Sequence, residues 1–196
     1  MTRADEILTD VYAGLGIGNA SDGEKYLQID QIVHALAQIN NEEAISPKTT
    51  GTISERLCEL ALRTTIPNGY KRISDEWNWM ADFSISGHPF NLLVSVKSFK
   101  AKERLLVSGS GNNLSPCVGW GLFDDAAEWA VERVRKYMFR SFIAIYLPST
   151  LVQQLSLESR QVTNLNGKLF LREIQQFTAD IENALDQDNL IKINAF

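Results

Sequence analysis

Apolar residues recur three and four apart over the first third of the chain, the spacing of amphipathic helices. One helix is expected over residues 3–13 (RADEILTDVYA), ending at the glycines of GLGIGNASDG. A second is expected over about 22–40, with Ser21 as its N-cap and Tyr26, Ile29, Ile32, Val33, Leu36 and Ile39 turned inward. ISPKTTGT, residues 45–52, reads as a loop. After it, ISERLCELALRT sets Ile53, Leu57, Leu60 and Ala61 at helical spacing, with Thr50 or Thr52 placed to cap. IPNGY then breaks the chain.

From there the period changes to two. YKRISDEW opens a sheet, and WMADFSIS and FNLLVSVKSF alternate as strands joined by a short turn at GHP. Residues 100–121 (KAKERLLVSGSGNNLSPCVGWG) read as irregular or briefly helical, because Gly, Ser and Asn dominate them. DDAAEWAVERVRKYM is amphipathic and predicts one helix. SFIAIYLPS is an unbroken apolar run, as in a strand buried on both faces. GKLFL suggests a further short strand, and LREIQQFTADIENALD a closing helix. Helices, antiparallel strands, then helix, strand and helix predict one mixed α/β domain over 1–196, with residues 1–46 as an N-terminal helical part. The glycines at 14–18 follow a helix, whereas a dinucleotide-binding turn must follow a strand, so that reading is excluded.

Composition changes this picture little: 44% apolar and 22% charged residues are ordinary for a globular protein. No run approaches the length of a membrane span, and MTRADEILTD is too acidic and polar for a signal peptide. Two cysteines, Cys58 and Cys117, make no disulfide framework, and with two histidines they make no typical zinc site. A reduced, cytoplasmic protein away from membranes is expected. Charge is more telling by position than in total. The chain carries −5, divided as −6 over residues 1–46, +5 over 47–172 and −4 over 173–196. A positive middle between acidic ends suits a protein that meets an anion with its middle alone.

The candidate chemistry lies in DFSISGHPFNLLVSVKSFK, residues 82–100. If its two strands are neighbours, Ser95 and Lys97 share one face and Asp82 reaches that face from the side. A carboxylate and an ammonium together can hold a divalent cation and orient water, as phosphodiester hydrolysis requires. Mg²⁺ keeps several of its waters, so one or two carboxylates suffice. MADFSI…NLLVSVKSF resembles the PD-(D/E)XK nuclease signature, in which an Asp on one strand precedes an acid, any residue and Lys on the next. The resemblance implies a restriction-endonuclease-like core over about 50–150, a central mixed β-sheet flanked by helices. Asp82 is then the first acid and Lys97 the lysine. Two positions depart from the pattern: Ala81 stands where the family has Pro, and Ser95 stands at the second acid. Some restriction endonucleases of this superfamily show Ser-X-Lys and recruit a glutamate from another element. Glu55, on the helix before the first core strand, is the residue that this implies, with Glu59, Glu128 and Glu103 as further candidates. Catalytic residues are thus expected at Asp82, Lys97, Glu55 and Ser95, with Mg²⁺ on Asp82 and Glu55.

Lys100, Lys102 and Arg104 form a basic run placed to contact phosphates, and Asn112 and Asn113 can pair with adenine edges. Arg133, Arg135, Lys136 and Arg140 are spread around one helix, so not all of them can face DNA. Trp77, Trp79, Trp120 and Trp129 are assigned to core or interface. The resemblance points most closely to a type II restriction endonuclease: a Mg²⁺-dependent, sequence-specific enzyme cutting double-stranded DNA as a homodimer. The alternative is a catalytically inert DNA-binding or assembly protein that keeps the nuclease fold. A small-molecule enzyme or a pure interaction domain would have no affinity for DNA.

Overall fold

Three of the first four helices begin where a side chain takes up the free N–H groups of the opening turn. Residues 1–99, 115–186, 188 and 190–196 are described in the structure, a computed structural model. Helix α1 (Arg3–Gly14) starts with a reciprocal capping box between Thr2 and Asp5, and α2 (Asp22–Tyr26) with one between Ser21 and Glu24. The expected helix over 22–40 is in fact two. Leu27 and Gln28 separate α2 from α3 (Ile29–Glu43), and Ala44 closes α3 in the left-handed region at φ 49°. The inward face survives this break, since Tyr26, Ile29, Ile32, Val33 and Leu36 are all buried.

The segment expected as a loop, 45–52, instead starts the longest helix. In α4 (Pro47–Thr65) Ser46 accepts the Thr49 N–H and Pro47 occupies the first turn, where its missing donor costs nothing. Helix α4 carries Ile53, Leu57, Cys58, Leu60 and Ala61 onto the sheet.

Six strands follow in sequence order across the sheet: β1 (Tyr70–Arg72), β2 (Phe83–Ile85), β3 (Leu92–Lys97), β4 (Cys117–Gly121), β5 (Phe142–Leu147) and β6 (Leu171–Glu173). The first three pair antiparallel, while β3 to β6 run parallel. This is a mixed α/β fold with a six-stranded mixed sheet flanked by helices. Both faces are covered. Phe83, Val94, Val96, Trp120 and Tyr146 pack under α1, α3, α4 and α8 (Phe177–Ala184). Leu93, Cys117, Ile145 and Leu147 pack under α5 (Val131–Met138) and α6 (Ser149–Gln154). A further short helix, α7 (Leu157–Arg160), follows. Tyr26 ties the helical layer to the sheet: its hydroxyl donates to the Ile174 carbonyl at 2.6 Å and accepts from Trp120 Nε1 at 3.4 Å.

Three expectations are corrected here. CVGWG is not irregular but the wholly buried strand β4. Its glycines are there for close approach. A Cβ on Gly119 would sit 3.1 Å from the Ile145 side chain, and one on Gly121 would sit 2.7 Å from the Lys97 carbonyl oxygen. The helix expected over 124–138 is broken at Ala130, whose ψ is 146°. In one continuous helix Trp129 and Val134 would lie about 140° apart around the axis. The break resets the phase so that both reach the second core. Finally, LRE begins no helix; it forms β6, and α8 starts only at Phe177. Leu169, within the expected GKLFL strand, makes only an isolated antiparallel bridge to Thr163.

Gly121→Ala is expected to lower stability by about 1–3 kcal/mol through overpacking against fixed backbone. Gly51→Ala, in the second turn of α4 with open space around it, should raise stability by about 0.5–1 kcal/mol. Urea denaturation of both variants checks the pair; equal midpoints would remove the close-approach account of β4.

Candidate functional site

The regular pairing of β2 with β3 stops one residue before β2 begins. Phe83 is opposite Val94, but Asp82 N–H donates to the Val94 carbonyl at 2.9 Å, and the Asp82 carbonyl turns away to accept from Ile73 N–H at 3.0 Å. The next donor along β3, Val96 N–H, therefore has no carbonyl opposite it. The Asp82 carboxylate fills the gap: Oδ2 accepts that N–H at 2.6 Å. A strand N–H points sideways in the sheet, so this carboxylate lies in the plane of the sheet. It reaches neither face fully.

Lys97, the last residue of β3, meets the same atom. Its Nζ donates to Asp82 Oδ2 at 3.4 Å and to the Val96 carbonyl at 2.9 Å. Both side chains are mostly enclosed, at 20% and 15% exposure, so water screens the ion pair less than it would a surface one. An ammonium has three protons, and two are committed to these acceptors. Every contact to the carboxylate among the described residues falls on Oδ2, which leaves Oδ1 for a ligand.

Glu55 comes from α4, on the Val94 and Val96 side of the sheet. Its Oε2 pairs with the Arg72 guanidinium at 2.8 Å. Burial pushes its carboxyl pKa up from the ordinary 4.5; Arg72 pulls it down, Asp82 pushes it up, and Lys97 pulls it down. Ser95 has no exposed surface, and its Oγ finds no hydrogen-bond partner among the described residues. By strand alternation it faces the second core with Leu93, away from α4. A ligand arriving from solvent meets Asp82 and Lys97 before it could meet Ser95.

Other expected residues are more scattered. Lys100, Lys102, Arg104, Asn112 and Asn113 lie outside the described residues, as does Glu103. Glu59 accepts from the Tyr70 hydroxyl at 3.3 Å, and Glu128 is buried in the short 3₁₀ turn before α5. Helix α5 returns the chain between two parallel strands, so it runs against them. Arg133 is then nearest the Asp82 end of the sheet, and the exposed Arg140 lies beyond the far end of the helix. Burial raises the Cys117 thiol to about 12 and also pushes Cys58 up, so neither is a nucleophile. A groove of about 460 Å³ between α1, α2 and α4 ends at Arg72. Of its cations, Arg56, Arg63 and Arg72 are paired with Asp5, Asp22 and Glu55, and Lys25 lies over the Tyr12 ring.

Among the described residues, no three His, Cys, Asp or Glu side chains gather closely enough to hold a metal ion. The oxygens available are those of Asp82 and Glu55. Two carboxylates suit a hard cation that keeps most of its water, which is the preference of Mg²⁺. Among the same residues, no helix is long and apolar enough to cross a membrane. Of the four tryptophans, Trp120 and Trp129 are in the core as expected, whereas Trp77 and Trp79 are 54% and 49% exposed. No family model, curated protein or solved structure matches this chain.

The Glu55 carboxyl is expected to titrate above an ordinary glutamate when followed by carboxyl-detected NMR. Asp82→Asn should lower its midpoint and Arg72→Ala should raise it further, because they remove a negative and a positive neighbour respectively. A folded-state pKa above the unfolded one means the native state binds the extra proton. This group's contribution to stability therefore falls as pH rises from the unfolded value through the folded one. An unchanged midpoint in Asp82→Asn would mean that the two carboxylates do not sense each other.

Proposed function

We propose that this protein is a Mg²⁺-dependent endonuclease of the restriction-endonuclease-like kind, acting on double-stranded DNA. The observation that carries the reading is the convergence of Val96 N–H and Lys97 Nζ on one Asp82 oxygen where β2 and β3 end their pairing, with Glu55 on α4 held by Arg72 of the neighbouring edge strand. The mixed sheet flanked by helices, with α5 crossing between the parallel strands β4 and β5, is compatible with the core that the resemblance implies.

In this reading Asp82 and Glu55 hold the cation, and Glu55 exchanges its Arg72 partner for it. Bound Mg²⁺ neutralises charge on the phosphate and lowers the pKa of its water. Asp82 keeps Oδ2 on the strand and offers Oδ1, so the protein donor is fixed by backbone rather than by a flexible rotamer. Lys97 is held by Asp82 and by the Val96 carbonyl, and its third N–H is aimed by those two bonds. That proton orients the attacking water or a phosphate oxygen. Ser95, enclosed below, lets β3 pack against β4 where Gly119 lies opposite it. The recognition of a particular base sequence and a two-fold dimer belong to the same proposal.

One set of observations favours the inert DNA-binding alternative. Asp82 is engaged by the strand itself, Glu55 by Arg72, and the second acid of the signature is a buried serine. Plasmid digestion in Mg²⁺ decides between them. Cleavage into discrete fragments is expected for the wild type, with a loss of about 10²-fold or more in Asp82→Ala and in Lys97→Ala. Glu55→Gln should raise the Mg²⁺ concentration needed for half-maximal cutting. Retarded but uncut plasmid, with no difference between wild type and Asp82→Ala, would establish the inert reading.

A further inference from the structure

Trp77 and Trp79 are the two largest apolar side chains that the fold leaves outside. They sit on the excursion between β1 and β2, which is built firmly. Its ends are joined by the Ile73 N–H to Asp82 carbonyl bond, and Trp77 N–H and Met80 N–H close successive turns onto Ser74 and Trp77. Ile73, Met80 and Ala81 anchor it against the second core. The anchors are thus modest residues, while two indoles with far more area to bury stay about half in water. They stand together, ring centroids 6.3 Å apart and 38° from parallel.

Their position ties them to the Asp82 site. Trp79 is three residues from Asp82 and Trp77 five, so the chain confines their Cα atoms to within about 11 and 18 Å of it. The surroundings choose the occupant. Asp75 and Glu76 are exposed on the same excursion and repel phosphate oxygens, so the loop is a poor seat for a sugar–phosphate backbone. Lys71, exposed on the edge strand just before it, can hold a phosphate to one side, while Arg72 next to it is paired with Glu55. An uncharged aromatic face next to a separate cationic edge matches a nucleotide whose base is out of its duplex stack.

We propose that Trp77 and Trp79 form a stacking platform for an unpaired nucleobase beside the bond at Asp82 and Lys97, so that the protein prefers DNA with an unpaired or displaced nucleotide there. This rests on the nucleic-acid reading of that site. It adds a substrate feature that Asp82 and Lys97 do not specify.

The test is binding of a short single-stranded oligodeoxynucleotide, and of the matching duplex, to the full chain in EDTA at low salt. Trp120 and Trp129 are buried, so fluorescence quenching on binding reports the exposed pair. The wild type should bind the single strand more tightly than the duplex, with quenching. Trp77→Ala/Trp79→Ala should weaken binding about tenfold or more. Trp77→Phe/Trp79→Phe should keep the affinity and lose the quenching, which guards against a folding defect. A strand of the same length that is abasic at every position should bind the wild type as weakly as the intact strand binds the alanine variant.

Equal affinity in the wild type and the alanine variant overturns the platform, as does wild type that ignores the strand. A change of oligomeric state in the alanine variant, with binding unaltered, reassigns the patch to a protein contact. Plasmid cleavage in Mg²⁺ is scored separately. Cutting without Trp-dependent binding removes only this inference. Trp-dependent binding without cutting removes only the nuclease reading.

Discussion

The arrangement rests on how tightly β3, β4 and β5 lie together between two apolar layers. Each strand is buried on both faces, so its backbone groups have only their neighbours to bond, and side-chain volume must be accommodated rung by rung. β4 meets that demand with glycine at 119 and 121. Gly121 lets the chain pass beside the Lys97 carbonyl, the point at which β3 delivers its lysine to the edge. The same packing encloses Ser95, where a longer acidic side chain would be driven into the second core. Close packing of the sheet thus fixes a small side chain at position 95.

At the other border of β3 the sheet is less regular, and chemistry becomes possible there. A backbone donor at Val96 is served by a side chain, and that side chain also receives Lys97. An ion pair fastened to a strand has little freedom to lose when a ligand arrives, which is the condition for a preorganised site. It is also the condition for a purely structural contact.

The periodic elements were legible because burial imposes its own spacing on the chain. Tyr26, Ile29, Ile32, Val33 and Leu36 stay on one face even though two helices share them, and SFIAIYLPS reads as a buried strand because no solvated face interrupts it. The failures have equally local causes. ISPKTTGT looks like a loop because its glycine and threonines are poor helix formers, while Ser46 and Pro47, the start signal, are easily read as a turn. CVGWG looks irregular because a glycine in a strand is costly unless a neighbour needs the space, and the neighbours, Ile145 and Lys97, are distant in sequence. Nothing within 124–138 reveals that Trp129 must be turned toward Phe123, which it meets edge-on at 4.9 Å.

By itself the sequence determined the mixed α/β class, the core-facing positions of its helices, and the placing of a lysine on one strand with an acid just ahead of its neighbour. Those follow from alternation and helical period, which are properties of neighbouring residues. Only the tertiary structure decided that Asp82 lies in the plane of the sheet, that Glu55 is held by Arg72, that Ser95 is sealed in the second core, and that Trp77 and Trp79 remain outside. Each of these depends on which backbone groups are left without partners and which volumes are already filled. Such accounts close only when strands far apart in the chain are brought together.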